Sequence, residues 1–228
     1  MFKLLNLLES TEPFTILLAL LPLIGYLVVF SLIRISGRTL VTTGGRDVAA
    51  LAIALSGMIA VGPAELFFPT AAATIFGPVV WVALVAFYGL SVALIALTTP
   101  PKLVVYGRSP EELYEPLMAA AKQIDPAATG EPTQLQVSLP TVGVRLRIDG
   151  QRGFDHAQVL AFEPNISLRF WNQLLGNVRK EVQHQPAPMP RRGFGMLLVA
   201  LMLAAILAWQ GFGNQELVVE GFRDWLWR

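Results

Sequence analysis

The sequence contains no cysteine. That absence excludes disulfide bonds, thiolate metal ligands and cysteine nucleophiles. Histidine is nearly as scarce, with His156 and His184 the only two. Charge is scarce as well: 14% of residues are charged, against about 25% in an ordinary soluble domain. The net charge of +1 gives no reason to expect a nucleic-acid partner. The shortage of charge is local. From Val48 to Pro101 the sole charged residue is Glu65.

What fills the space is apolar. Hydrophobic residues make up 54% of the chain and its mean hydropathy is +0.56. A helix crossing the hydrocarbon core needs about 20 mostly apolar residues. Segments of that kind run over about 14–33, 48–68, 74–97 and 194–212. The first is too long for the apolar core of a signal peptide, roughly 7–15 residues, and no A-x-A pattern follows it. It is expected to be retained.

Lysine and arginine are retained on the cytoplasmic side of spanning helices. Arg34, Arg38 and Arg46 lie between the first two segments, Lys102 and Arg108 follow the third, and Arg191 and Arg192 precede the fourth. Both termini are therefore expected outside and residues 101–192 in the cytoplasm, with Lys3 dissenting. The layout is similar to that of many multi-pass proteins of the bacterial inner membrane, a resemblance that assigns no residue a role.

Glu65 has two readings. A carboxylate deep in a bilayer is costly and usually marks a proton or cation path. Pro63 and Pro69 flank this one, however, so a solvated acid at an external turn is the simpler expectation. No second charge nearby would make a relay. Small residues recur in the second segment, and the spacings Ala50–Ala54 and Ser56–Ala60 permit close helix approach. Packing within the chain is expected there, with dimerisation or a partner helix as the alternative. Thr42–Gly45 lacks the phosphate-loop pattern and reads as a flexible loop.

Between the third and fourth segments the composition becomes ordinary. Residues 101–185 are expected to form a small α+β domain of order β-α-β-β-β-α with a mostly antiparallel sheet. A short strand, Lys102–Gly107, is followed by a capping box at Ser109–Glu112. The helix it opens has Leu113, Leu117, Ala121 and Ile124 on its apolar stripe. Asp125–Thr133 reads as a loop.

Residues 134–149 then alternate apolar and polar. Pairing Leu139 with Val142 places Leu135, Val137, Val144, Leu146 and Ile148 on one face. Pro140 argues against a primed two-residue turn, and a four-residue loop is expected to keep the same register. The other face carries Gln134, Gln136, Arg145 and Arg147. A fourth strand, Ala157–Phe162, precedes a helix capped by Asn165 or Ser167, with Leu168, Trp171, Leu175, Val178 and Val182 as its stripe. Residues 186–193 form a proline-rich tether. After the fourth segment, residues 213–228 read as an amphipathic tail with Trp225 and Trp227 as interfacial anchors.

The chemistry available in that domain is thin. Asp149, Arg152, Asp155 and His156 cluster near one turn, and Asp155 with His156 could act as an orienting acid and a base. No nucleophile motif accompanies them, and no metal-ligand spacing appears. Catalytic residues, cofactor and metal are therefore all expected to be none. Gln134, Gln136, Arg145 and Arg147 are the candidate partner- or anion-binding face, able to take phosphate or anionic lipid, with a plainly solvated strand face as the simpler reading. The expectation is a non-catalytic inner-membrane protein in contact with the lipid bilayer. Its cytoplasmic domain would bind a protein partner or a second copy, or scaffold a membrane complex. A transport component using Glu65 and a membrane hydrolase using Asp155 and His156 are the alternatives.

Overall fold

A computed structural model describes residues 13–62, 76–77, 79–151, 154–184 and 193–227, with side chains up to residue 223. In chain order the elements are α1 (Pro13–Ile35), β1 (Leu40–Thr43), α2 (Gly44–Val61), α3 (Val79–Thr98), β2 (Leu103–Tyr106) and α4 (Pro110–Lys122). There follow β3 (Thr129–Glu131), β4 (Gln136–Leu139), β5 (Val144–Asp149), β6 (His156–Ala161), α5 (Leu168–His184), α6 (Gly193–Gly213) and α7 (Gln215–Trp227). The chain divides into two compact units. One comprises the residues up to Phe30, Ala49–Leu94 and Gly195 onward; the other comprises Ser31–Val48 and Ile95–Phe194.

Among the described residues, each of the four expected apolar segments contains one long helix. α1, α2, α3 and α6 are each long and apolar enough to cross a membrane, with hydropathies of 2.7, 1.4, 2.4 and 2.0 over their most apolar windows. Twenty-three residues in α1 correspond to a rod of about 35 Å at 1.5 Å per residue. α2 begins at Gly44 rather than Val48, because Asp47 in its first turn suits the positive end of a helix. The stretch expected as a flexible loop, Thr42–Gly45, is thus the end of a strand and the start of a helix. Glu65, Pro63, Pro69, Pro78 and the tether over 186–192 lie outside the described residues.

In the first unit, Ala54 is fully buried. A Cβ at Gly57 would overlap the carbonyl oxygens of Leu18 and Ala19. The small residues of α2 therefore bring its backbone against that of α1, which is the packing within the chain that their spacing predicted. Tyr88 Oη donates to the Ala52 carbonyl at 2.6 Å and ties α3 to α2. Phe222 of α7 meets Phe14 at the start of α1, ring centroids 5.7 Å apart and 67° inclined. The side chains of Trp225 and Trp227 lie outside the description.

Gly57→Val should force the α1 and α2 backbones apart and cost about 1–3 kcal/mol, the usual range for overpacking. Gly89→Val, at a position with nothing within 4 Å, should leave stability nearly unchanged. Thermal unfolding of both variants in detergent checks this, and equal melting temperatures would refute the close approach.

The second unit is built on a six-stranded sheet of order β1-β2-β6-β5-β4-β3, antiparallel at every pairing. Alternation along the strands puts Val41, Leu103, Val105, Val137, Leu146 and Val159 into one core. α4 covers it with Leu113, Leu117, Ala120 and Ala121, and α5 with Phe170, Trp171, Leu174, Leu175, Val178 and Val182. The capping box is formed as expected. Ser109 Oγ accepts from Glu112 N at 3.3 Å, and Ser109 N donates back to Glu112 Oε2 at 2.9 Å.

Four details of the sequence reading change. First, Leu139 pairs with Val144 and Val137 with Leu146, two positions from the expected register. Residues 140–143 form the loop, and Gly143 supplies the positive φ of +71° that the reversal needs. A shift of two keeps the strand side chains on their faces, so Val137, Leu139, Val144, Leu146 and Ile148 lie in the core, whereas Val142, expected opposite Leu139, falls in the loop and is 44% exposed. Second, Leu168 is 74% exposed. Ser167 caps α5 by accepting from Phe170 N at 3.3 Å, and the buried face starts only at Phe170. Third, the expected loop over Asp125–Thr133 contains β3, an exposed edge strand. Fourth, the sheet gains β1 from the connection between α1 and α2. Val41 is only 3% exposed.

Asp125 is buried at 1% exposure. It accepts from Ala127 N at 3.0 Å, Thr141 N at 2.8 Å and Thr141 Oγ1 at 2.9 Å. Burial alone would push its carboxyl up. The hydrogen bonds from Thr141, Ala127 and Val142 outweigh it and hold the carboxyl below the usual carboxylate range. A depressed pKa contributes stability that is present above the unfolded value, about 3.9, and is lost as pH falls through the folded value. Asp125→Asn should therefore melt at a lower temperature at neutral pH, and the gap should close at acid pH. Melting curves across pH 2–7 measure the gap, and one of constant size would refute the assignment.

Candidate functional site

The sheet's second face is set by the same alternation. It carries Val104 and Tyr106 of β2, His156, Gln158 and Leu160 of β6, and Arg145, Arg147 and Asp149 of β5. Gln136 and Ser138 of β4 complete it, with Gln136 opposite Arg147 and Ser138 opposite Arg145. This face is half covered. Val104 is fully buried. Tyr106 Oη donates to Asp47 Oδ1 in the first turn of α2 at 2.7 Å. Lys102 Nζ donates to Gln158 Oε1 at 3.2 Å, and its aliphatic stem passes beside Gly44.

Toward β5 and β4 the face is open, and Arg145 and Arg147 are exposed. Arg145 Nε lies 3.2 Å from Glu163 Oε1, its backbone N–H donates to Glu163 Oε2 at 2.8 Å, and its guanidinium sits 5.3 Å from the Phe162 ring centroid. Burial pushes the Glu163 carboxyl up, but the Arg145 hydrogen bonds outweigh this and hold it below its ordinary value. The Arg145 side chain is 65% exposed. An ion pair in that setting contributes only about 0–1 kcal/mol, so either partner can exchange. Gln134 leaves the expected face. It lies in the turn after β3, where Nε2 donates to Glu131 Oε1 at 3.0 Å. A shallow depression of about 190 Å³ beside Arg145 is lined by Gln136, Ser138, Thr129 and Glu131.

Asp155 and His156 are turned to separate tasks. The Asp155 carboxylate forms an ion pair with Arg34 in the last turn of α1, both side chains largely buried. Its backbone carbonyl accepts from Gly107 N at 2.8 Å. The His156 ring lies 5.0 Å from Tyr106 at 49°. An acid neutralised by a guanidinium is a weak orienting group for an imidazole. An open depression of about 400 Å³ is lined by Asp149, Gly150, Gln151, His156 and Gln158. That lining offers one carboxylate, one imidazole and two amides, without a hydroxyl nucleophile. Arg152 lies outside the described residues. Among the described residues, no group of three or more His, Cys, Asp or Glu could hold a metal ion.

Arg34, Asp47, Lys102 and Tyr106 were not among the site residues read from sequence. The one local signal was the β-branched run Val41-Thr42-Thr43 ahead of α2, which marks a strand able to carry its flanks to the sheet. No protein-family model, curated protein or solved structure matches the chain.

Because β1 comes from residues 40–43, a fragment spanning residues 95–194 alone would leave β2 as an open edge. Those β2 amides that point toward β1 should exchange with solvent at nearly unprotected rates in the fragment, while those bonded to β6 stay protected; in the full chain both sets should be protected. Hydrogen exchange read by mass spectrometry compares the two, and equal protection would refute the dependence on β1.

Proposed function

We propose that this chain is a non-catalytic, multi-pass inner-membrane protein whose α+β domain is held on the cytoplasmic side as a binding or scaffolding module. The observation that carries the membrane assignment is the exposure of α3. Only 6% of its apolar window is buried, and Phe87 and Leu90 are 67% and 72% exposed. A helix apolar on all sides and left uncovered has lipid as its natural solvent. The sidedness follows from the lysine and arginine placement. The non-catalytic reading is supported by the diversion of Asp155 to Arg34. The binding reading is supported by a sheet face whose far half, with Arg145 and Arg147, is uncovered. Such a domain works by presenting a surface to a partner protein, a second copy or the lipid itself.

The chain lacks native cysteine, so single cysteines report cleanly. Lys122→Cys and Lys180→Cys, both exposed, should resist an impermeant maleimide in intact cells and react once the membrane is permeabilised. Reaction in intact cells would overturn the sidedness. His156→Ala should leave every cellular phenotype of the gene unchanged, and a null phenotype with an unaltered melting curve would overturn the non-catalytic reading.

A further inference from the structure

The six-stranded sheet has two edges, and the chain treats them differently. At one, Arg179 Nε and Nη2 donate to the Val41 carbonyl of β1. At the other, β3 ends the strand order and all three of its residues are exposed. Among the described residues no strand pairs with its outer side. In an antiparallel ladder alternate residues turn their N–H and C=O to one neighbour, so β3 presents the remainder outward. Natural edges are blunted by lysine, proline, a bulge or a cover. Thr129-Gly130-Glu131 contains neither lysine nor proline.

Gly130 stands opposite Val137, on the core side, where a Cβ would overlap Tyr114 Oη. The glycine therefore lets Tyr114 of α4 close against the strand from within. Thr129 and Glu131 stand on the other face, opposite Ser138 and Gln136. Glu131 Oε1 accepts from Gln134 Nε2 at 3.0 Å in its own turn, and a carboxylate has room for further donors.

Three features of this edge fit a second copy of itself. Two copies related by a two-fold axis meet β3 to β3 in antiparallel fashion. Full overlap then puts Gly130 opposite Gly130, and Thr129 of each copy opposite Glu131 of the other. A hydroxyl meets a carboxylate twice, and no like charges are opposed. Next, Pro132 has no N–H to extend the ladder, which limits it to these three pairs. Last, the surrounding face is of mixed sign, with Arg145 and Arg147 beside Glu131, Asp149 and Glu163. Such a face gives no advantage to a strongly basic or strongly acidic partner, but it matches its own two-fold image. The row Arg147–Gln136–Glu131 is continued by Thr129, Ser138 and Arg145 of the second copy.

We propose that β3 is a homotypic docking edge, pairing antiparallel with β3 of a second copy about Gly130. This rests on the reading of the sheet unit as a binding module, and the contact uses that unit alone. A ladder of three residues is far smaller than a standard interface of about 800 Å² per partner, so the pairing is reversible and depends on the concentration of chains.

The chain has no native cysteine, which permits a direct test. Full chains carrying Thr129→Cys and Glu131→Cys, with different epitope tags, are expressed together and their membranes mildly oxidised. The mixed pair should form a disulfide, since directly opposite residues bring their Cα atoms about 4.5–5.5 Å apart. Thr129→Cys alone should crosslink roughly five-fold less, because its two copies lie on a diagonal of about 7–8 Å, beyond the usual disulfide span. Lys122→Cys, exposed at the end of α4, reports chance collisions and should stay near background. Charge reversal gives a second readout. Thr129→Glu should cut recovery of the differently tagged copy by roughly five-fold by opposing two pairs of carboxylates. Adding Glu131→Lys to the same chain should restore it, which separates a lost contact from a lost fold.

Equal crosslinking for the mixed and single variants or for Lys122→Cys, indifference to Thr129→Glu, or failure of Glu131→Lys to restore recovery would overturn the β3 pairing. A general amine crosslinker separates this pairing from the reading beneath it. Capture of other proteins without a second copy removes the pairing and leaves the binding module, whereas capture of no protein at all removes both.

Discussion

The second unit depends on the pairing of Leu40–Thr43 with Leu103–Tyr106. β2 carries Leu103 and Val105 into the core, and an unpaired β2 would present its backbone groups to water as an open edge. β1 closes that edge and adds Val41 to the apolar face. The new edge is itself managed. Arg179 of α5 places Nε and Nη2 on the Val41 carbonyl at 3.1 and 2.8 Å, so one outward carbonyl of β1 meets a guanidinium. Arg108 donates from Nε to Thr39 Oγ1 at 3.2 Å and from Nη2 to the Val182 carbonyl at 3.3 Å. It is 5% exposed. Burial pushes its guanidinium below the usual value while Glu112 pulls the other way; arginine stays charged regardless. Three elements, β1, β2 and α5, are thus tied at one edge by two arginines.

That arrangement turns a connection between two apolar helices into part of a folded domain. The closure spans residues 44–102, but closure entropy grows only logarithmically with loop length. Residues in α2 and α3 are helical besides, which shortens the effective loop. The cost is therefore modest against the burial of Val41 and four residues of strand pairing. The same geometry explains why the domain's polar contacts reach toward residues far upstream. Arg34 finds Asp155, and Asp47 finds Tyr106, because β1 carries both helix ends to the sheet.

Legibility in the sequence follows locality. The capping box at Ser109, the alternation over residues 134–149 and the α5 stripe from Trp171 to Val182 are each decided by residues within a few positions. The capping box and the stripe appear in the structure, and the alternation holds over Gln136–Leu139 and Val144–Asp149. The β4–β5 register missed by two because the side-chain period of a strand settles the face and leaves even shifts open. Loop length decides those, and Pro140 and Gly143 set it. Gln134 leaves the strand face because β4 begins only at Gln136, two residues further on. Leu135 takes a positive φ of 54°, so the pattern is broken there. Arg145 and Arg147 stood on the face their spacing required. The Asp155–Arg34 pair was invisible because no periodicity relates residues so far apart, and a neighbouring histidine made a local explanation of Asp155 attractive.

Three carboxylates of the second unit show how environment sorts one functional group into different duties. Asp125 is enclosed by backbone and hydroxyl donors that hold it ionised. Its donors belong to Ala127 and Thr141 and are held by the fold around the buried carboxylate. Asp155 is matched to Arg34 in a largely buried pair. Removing either partner there would strand a charge out of water, a strongly unfavourable state, so that pair acts as a structural clasp. Glu163 meets Arg145 at the solvent boundary, where water and ions compete for both groups and the net gain is small. Only the third arrangement can be undone by an incoming ligand without unfolding its surroundings. Of these three carboxylates, the exchangeable one lies on the far half of the second sheet face, while the other two hold the surrounding fold in place.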